Sequence, residues 1–336
     1  VRAPAVFFSP VPILLLLCSL AFSCARYEPF KRVTLPTGDA TNEISVPLSS
    51  EGEQGAPVSV FVRNNSVWIC ESGTSDVKVF DLKARFKRDL RPSIGARSPD
   101  IADMLVDDRS RLYLVERGLE ETGLSNQPVR ESLILHVFSP DGRYVKTIAS
   151  FDGLLRGMSV NSYGQLTTVV EYPDAGWTAR RFIDDIPVKT VRLTNSLTRS
   201  NAFVINNVCP FDNDNKLLIE RIPVPSDQRA LASYSVYDML TGKEEPAAFV
   251  PARMLRGGYF LYGSSGKADF YFMKHAKRNS LSVLKLSSAT WALSKKNWDM
   301  SFKNSDGLLL EPRIDRDANV YQTRLGPGYI RLVFYR

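Results

Sequence analysis

Val106-Asp-Asp-Arg-Ser-Arg-Leu112-Tyr carries the spacing that decides the fold, because three later stretches of the chain repeat it. They are Val160-Asn-Ser-Tyr-Gly-Gln-Leu166-Thr, Phe211-Asp-Asn-Asp-Asn-Lys-Leu217-Leu and Ile314-Asp-Arg-Asp-Ala-Asn-Val320-Tyr. Each sets an apolar residue before Asp or Asn, then a polar stretch, then an apolar residue that opens a second run. The pattern predicts one strand, a tight turn and an antiparallel partner. From Val106 to Val160 is 54 residues, from Val160 to Phe211 is 51, and from Phe211 to Ile314 is 103. The last interval is close to twice the others, so a degenerate copy is expected between them, and residues 258–273 supply a strand, a turn and a strand. Residues 58–70 supply another copy upstream, with a turn one residue shorter. Six repeats result, and an internal period of this length outranks local signals in fixing architecture.

Each repeat has a second half. Residues 133–138 lead through Ser-Pro-Asp-Gly142 into residues 143–148, and the Pro-Asp-Gly turn between apolar runs reads as a hairpin. Residues 77–90 and 234–243 have the same form. Leu82, Phe86 and Leu90 have helical spacing, but the aligned hairpin of the next repeat favours a strand there. Four antiparallel strands per unit predict an all-β fold, a six-bladed β-propeller with four-stranded blades. A β-sandwich is the alternative, and it needs no such period. The last repeat provides only three strands before the chain stops. Its missing outer strand is expected from the N-terminal side, from residues 30–35 or 43–46.

Over about residues 30–336 the chain resembles six-bladed propellers of the NHL-repeat and TolB-like kind. It departs from the NHL pattern at two places. The Gly usual before the second strand is missing (Gly164 lies one residue early), and Glu stands where Asp is usual after it.

The run from Val11 to Phe22 is apolar and twelve residues long, too short for a bilayer core of about 30 Å. With Arg2 before it and Leu20-Ala-Phe-Ser-Cys24 after it, it fits an export signal and resembles a bacterial lipobox of the spirochaete-lipoprotein kind. The resemblance implies cleavage before Cys24 and acylation of that residue, palmitate-type chains anchoring the domain to a membrane. Cleavage near Ser23 without lipid, or a plain N-terminal anchor, are the alternatives. The expected organisation is therefore a signal peptide over 1–23, a lipidated Cys24 with tether and closing strand over 24–57, and the propeller over 58–336. The expected location is the cell envelope, on the periplasmic face or the cell surface.

Cys70 and Cys209 remain as candidates for a disulfide. They fall in the first and fourth repeats, on opposite sides of a six-part ring, so two buried free thiols are expected. The chain carries 43 Lys and Arg against 36 Asp and Glu. The basic residues Lys83, Arg85, Lys87, Arg88 and Arg91 fall on an expected outermost hairpin, with no interleaved stacking aromatics, which excludes a nucleic-acid partner. His136 and His275, the only histidines, have no Gly-x-Ser-x-Gly context, zinc spacing or phosphate loop beside them.

Glu71, Glu116, Glu171 and Glu220 each fall three to five residues after the residue that opens a second strand. Strands of equal direction end on one face, so the four carboxylates are expected near a common rim. The resemblance to six-bladed lactonases then implies a calcium ion in the funnel and a hydrolase using it as a Lewis acid. The bland reading pairs the same glutamates with neighbouring arginines, Arg117 and Arg221 among them. That reading expects no cofactor and no catalysis. It makes the protein an envelope scaffold that binds a protein or a cell-wall polymer through loops. Residues 118–129 and 172–178 are the expected binding insertions, with Trp177 an exposed anchor.

Overall fold

In the computed structural model the described residues are 26–27, 31–45 without Asp39, and 59–335 with gaps, of which the longer are 121–129, 225–231, 251–258, 276–280 and 299–312. Two N-terminal strands come first, β1 (Arg26–Tyr27) and β2 (Lys31–Pro36). Blade one is β3 (Ser59–Arg63), β4 (Ser66–Cys70), β5 (Val77–Asp81) and β6 (Phe86–Leu90). Blade two is β7 (Ile101–Val106), β8 (Leu112–Glu120), β9 (Arg130–Phe138) and β10 (Tyr144–Phe151). Blade three is β11 (Leu154–Val160), β12 (Leu166–Tyr172), β13 (Gly176–Ile183) and β14 (Ile186–Leu193). Blade four adds a short leading strand, β15 (Ser196–Leu197), to β16 (Ala202–Pro210), β17 (Lys216–Val224), β18 (Ser233–Asp238) and β19 (Glu244–Pro246). Blade five is β20 (Phe260–Ser264), β21 (Phe270–His275), β22 (Leu281–Leu286) and β23 (Leu293–Trp298), with β1 parallel at its outer edge.

Blade six is β24 (Arg313–Ile314), β25 (Val320–Gly326) and β26 (Tyr329–Tyr335), completed by β2. β2 pairs antiparallel with β26 from Lys31 opposite Phe334 to Pro36 opposite Tyr329. The first of the two expected closing segments therefore takes the role. Ile44, in the second, makes only an isolated bridge to Thr37 and is fully buried. Cys24 and the whole apolar run lie outside the described residues.

Six apolar clusters hold the ring, one at each blade boundary. Strand β4 shows how one strand serves two of them. Val67 and Ile69 point toward blade six, while Trp68 and Cys70 point toward blade two. A strand buried on both faces reads as a continuous apolar run, because alternate side chains enter different interfaces. Each such side chain contributes about 1.5–3 kcal/mol when fully buried. Cys70 and Cys209 are both buried free thiols, as their positions on opposite blades require.

At Asp107 and Asn161 the repeated Asp or Asn now has a physical explanation; Asp212 and Asp315 lie outside the described residues. Asp107 Oδ1 accepts the backbone N–H groups of Arg109 (2.9 Å) and Arg111 (2.8 Å). Asn161 Oδ1 accepts those of Tyr163 (3.0 Å) and Gln165 (2.9 Å) in the same way. Outer hairpins reuse the device, with Asp81 capping Lys83 and Arg85. Three residues after each of these caps sits a left-handed residue: Ser110, Gly164 and Ala84, at φ of 60°, 75° and 64°. A side-chain oxygen that supplies the turn's hydrogen bonds lets a non-glycine occupy that position. The two-residue turns at Asn64-Asn65 and Asp184-Asp185 have positive φ at both positions, as type I′ hairpins demand. Leu82, Phe86 and Leu90 lie in a hairpin, with Phe86 and Leu90 in strand β6.

Candidate functional site: the central channel

The innermost strand of every blade lines one cavity of about 880 Å³ on the ring axis. Strands β3, β7, β11, β16, β20 and β24 all contribute to it. Four successive blades carry the same irregularity in that inner strand. The register slips by one residue at Ala102 in blade two, Arg156 in blade three, Asn206 in blade four and Tyr262 in blade five. A bulge leaves one residue unpaired in the ladder and re-aims its side chain. In blades three, four and five the bulged residue, Arg156, Asn206 or Tyr262, is part of the channel wall.

The residue after the bulge does a second job. Asp103 Oδ1 accepts the N–H of Met104 (2.8 Å), the hydroxyl of Ser59 in blade one (2.9 Å) and Arg313 Nη2 in blade six (2.9 Å). Asn207 Oδ1 likewise accepts the N–H of Val208 (2.8 Å), and Asn207 Nδ2 donates to the carbonyl of Leu261 in blade five (2.8 Å). In the same position blades three and five have Gly157 and Gly263. An added Cβ at Gly157 would meet nothing within 4 Å, so this part of the wall opens onto free space.

Both arginines of the channel wall are paired. Arg156 Nε donates to Glu171 Oε2 (2.6 Å), and Arg313 pairs with Asp103. Burial would lower the Arg313 pKa, yet the Asp103 charge beside it wins and the guanidinium is held above its ordinary value. Phe260 and Tyr262 stand together in β20, ring centroids 6.4 Å apart and planes at 64°.

The four glutamates do not share this channel. Among the described residues, no three His, Cys, Asp or Glu side chains come together in a group that could hold a metal ion. The reason is register. Glu116 pairs with Ile101 before the bulge of blade two, whereas Glu220 pairs with Asn207 after the bulge of blade four. A one-residue offset turns a side chain to the opposite face of its sheet. Glu116 accordingly turns toward Arg97, and Glu220 toward Leu261 of blade five. Only Glu171 is part of the channel wall, where it is held by Arg156.

Each of the others is buried with its own partners. Glu71 accepts the N–H of Ser45 (2.6 Å) and pairs with Lys78 (3.0 Å). Glu116 contacts His136 Nε2 (2.8 Å) and Arg97 Nη2 (3.0 Å). Burial pushes the Glu116 pKa up, but the Arg97 and His136 bonds outweigh it and hold the carboxyl below the usual range. Glu220 accepts from Asn206 Nδ2 (2.6 Å), the N–H of Leu261 (2.9 Å) and the Tyr234 hydroxyl. There burial wins, and the carboxyl sits above its ordinary value.

Of the expected binding residues only Trp177 belongs to the channel wall; Arg117 and Arg221 lie outside it. Trp177 is not an exposed anchor. It is only 4% exposed, near the start of β13, packed with Val169, Ile205 and Val208 between blades three and four. Of the expected insertion 172–178, Tyr172 ends β12 and Gly176, Trp177 and Thr178 open β13, Tyr172 pairing with Gly176, while residues 173–175 lie outside the described residues. Arg117 is half-exposed, 3.7 Å from Asp100. Arg221 is tied to Ser235 (2.7 Å) and Glu244 (3.1 Å) at its own blade. Of residues 118–129, the first three belong to β8 and the remainder lie outside the described residues. Asp103, Arg156, Asn206, Tyr262 and Arg313 escape a reading based on the turn repeats, since they precede those turns. A usable signal exists: Asp103 and Gly157 each interrupt an apolar strand three residues before the repeat opens.

No family model matches the chain, and no curated protein does. Solved structures similar to it include the Dos1 propeller, 7% identical over 92% of this chain and 95% of that one, with a TM-score of 0.44. The β-propeller domain of the Trilobed protease from Pyrococcus furiosus is 12% identical over 82% of this chain and 81% of that one, with a TM-score of 0.47. A glucose dehydrogenase is 12% identical over 83% and 95%, with a TM-score of 0.41. At such identities the likeness is one of fold.

Proposed function

We propose that this protein is a binding module of the cell envelope, held at a membrane through Cys24 and taking its ligand into the central channel. One observation carries the binding half of this reading. Consecutive blades use the same bulge to turn Arg156, Asn206 and Tyr262 onto a single cavity. A ladder irregularity repeated at one register position is a device for aiming side chains rather than for packing them. Sites of this size with a few placed polar groups on a largely fixed frame suit ligand binding. The envelope half rests on the apolar run before Cys24 and its likeness to a lipobox. The partner this suggests is an envelope protein or a cell-wall polymer, reached by a rigid disk anchored close to its own rim. Strand β1 starts at Arg26, two residues beyond Cys24, which leaves little slack between anchor and blade five.

Two measurements test the two halves separately. Cells expressing the full chain should incorporate labelled palmitate, and Cys24→Ser should abolish the label; label retained in that variant removes the anchor. A photo-crosslinking amino acid at Tyr262 should give a discrete adduct in intact cells, weakened when Gly157→Leu intrudes on the channel. An adduct indifferent to that intrusion, or none at all, removes the channel as the site.

A further inference from the structure

We infer that the channel ligand is an uncharged saccharide; this rests on the reading that the channel is the binding site. Charge is the first argument. Both arginines of the wall already face a carboxylate, Arg156 with Glu171 and Arg313 with Asp103. A carboxylate or phosphate ligand would meet no net positive field, and binding it would break an existing pair. Like-charge approach and unpaired partners are strongly penalised, so this wall selects against ions of either sign.

Hydrogen-bond supply is the second argument. The pairs do not exhaust the groups that form them. Arg156 uses Nε and Nη2 on Glu171 and keeps Nη1. Among the described residues Arg313 uses Nη2 and keeps two nitrogens. Asn206 spends Nδ2 on Glu220 and keeps its carbonyl oxygen, in a side chain exposed to the cavity. The wall thus offers spare donors on Arg156 and Arg313 and a spare acceptor on Asn206, all on planar groups. Hydroxyls are the ligand groups that both donate and accept, and a ring of them satisfies such a wall without adding charge. A site built to bond hydroxyls also rejects analogues that lack them, because its polar groups are then left unpaired.

Shape is the third argument. Phe260 and Tyr262, set edge to face and half-buried, both belong to the cavity wall. The C–H face of a pyranose lies flat on an aromatic ring, whose negative π face attracts the partly positive hydrogens. The cavity of about 880 Å³ exceeds one hexose several-fold, so more than one sugar ring fits. Gly157 in blade three, with nothing within 4 Å of a would-be side chain, keeps its part of the wall clear for it.

The test is titration calorimetry of the full chain in detergent with cellobiose, maltotriose and chitotriose, and with succinate and trialanine as charged counter-probes. At least one sugar should bind saturably. Tyr262→Ala, Asn206→Ala and Gly157→Leu should each weaken that binding by about tenfold or more. Thermal melts of all three variants should match the parent, and Tyr262→Phe should retain binding where Tyr262→Ala melts early. Absence of saturable binding by every sugar overturns the saccharide assignment. Binding of succinate or trialanine that Gly157→Leu weakens overturns it too, while leaving the channel as the site. Sugar binding untouched by Gly157→Leu puts the sugar elsewhere and overturns both readings.

Discussion

Arg313 and Asp103 are 210 residues apart in sequence and 2.9 Å apart in space. They belong to blades six and two, so the contact passes over blade one, whose Ser59 shares the same Asp103 oxygen (2.9 Å). Three blades are thereby tied at one carboxylate.

The two ends of that contact should not be equivalent on mutation. Both side chains are over a third exposed, at 36% and 37%. A pair of that kind is worth about 0–1 kcal/mol, so Arg313→Ala should cost no more than that. Asp103→Ala also strips acceptors from the N–H of Met104 and the hydroxyl of Ser59, and should cost about 1–3 kcal/mol. Urea unfolding of both variants gives the comparison. Equal losses would mean that the carboxylate matters only as a charge.

Glu116 and Glu220 should bend the pH dependence of stability in opposite senses. The Glu116 carboxyl is held low in the fold, so its contribution is present above the ordinary glutamate pKa of about 4.3 and lost as pH falls through the folded value. The Glu220 carboxyl is held high, so stability drains as pH rises from about 4.3 through the raised value. Glu116→Gln should therefore flatten the acid limb of a melting-temperature profile. Glu220→Gln should gain on the parent as pH increases from about 4 to about 8. A constant offset between Glu220→Gln and the parent across that range would refute the burial penalty.

The hairpin turns predict gains as well as losses. Ala84 and Ser110 hold left-handed backbone, at φ of 64° and 60°. Ala84→Gly and Ser110→Gly should each stabilise by about 0.5–1 kcal/mol, since only glycine adopts that region freely. Asp107→Ala removes the cap of its turn at a fully buried position and should cost about 1–3 kcal/mol. Thermal melts suffice, and a neutral Asp107→Ala would show that the cap follows the turn rather than makes it.

Ring closure can be probed at Leu35, which is fully buried in strand β2 against Ile330 and Leu332. Leu35→Ala should cost about 2–5 kcal/mol. Removing β2 outright should bare the edge of β26 and lead to association, seen as a concentration-dependent shift in light scattering. A monomeric, normally melting chain without β2 would contradict closure through that strand.

The fold was legible because each repeat marks its own turn. Asp107 and Asn161 do identical work in backbone capping, and that work needs a short acceptor side chain at one position. Closure was legible because the final repeat is one strand short and residues 30–35 or 43–46 could fill the place, which Lys31–Pro36 takes. The channel was harder to read. Its residues lie where the inner strand breaks register, and a bulge has no fixed composition: Ala102, Arg156, Asn206 and Tyr262 share a position but no chemistry. The same slip misled the reading of the glutamates. Counting residues from the start of a strand tolerates an error of one, and one residue is enough to send Glu116 and Glu220 to opposite faces. Trp177 was misplaced for a related reason. A polar stretch before it resembles a loop, yet its pairing with Leu193 sets it in a three-strand ladder.

The order in which this chain is synthesised runs against the order in which blade six is assembled. Strand β2 emerges before blades one to five, while β26, the edge it must join, emerges after all of them. The wheel cannot lock until β26 has left the ribosome. Until then five sectors lack a keystone, and a pairing between distant parts of the chain, Lys31 with Phe334, has to be found late, which slows folding. A chain that locks late stays threadable for longer, and anything that must pass it through a narrow pore gains time to do so.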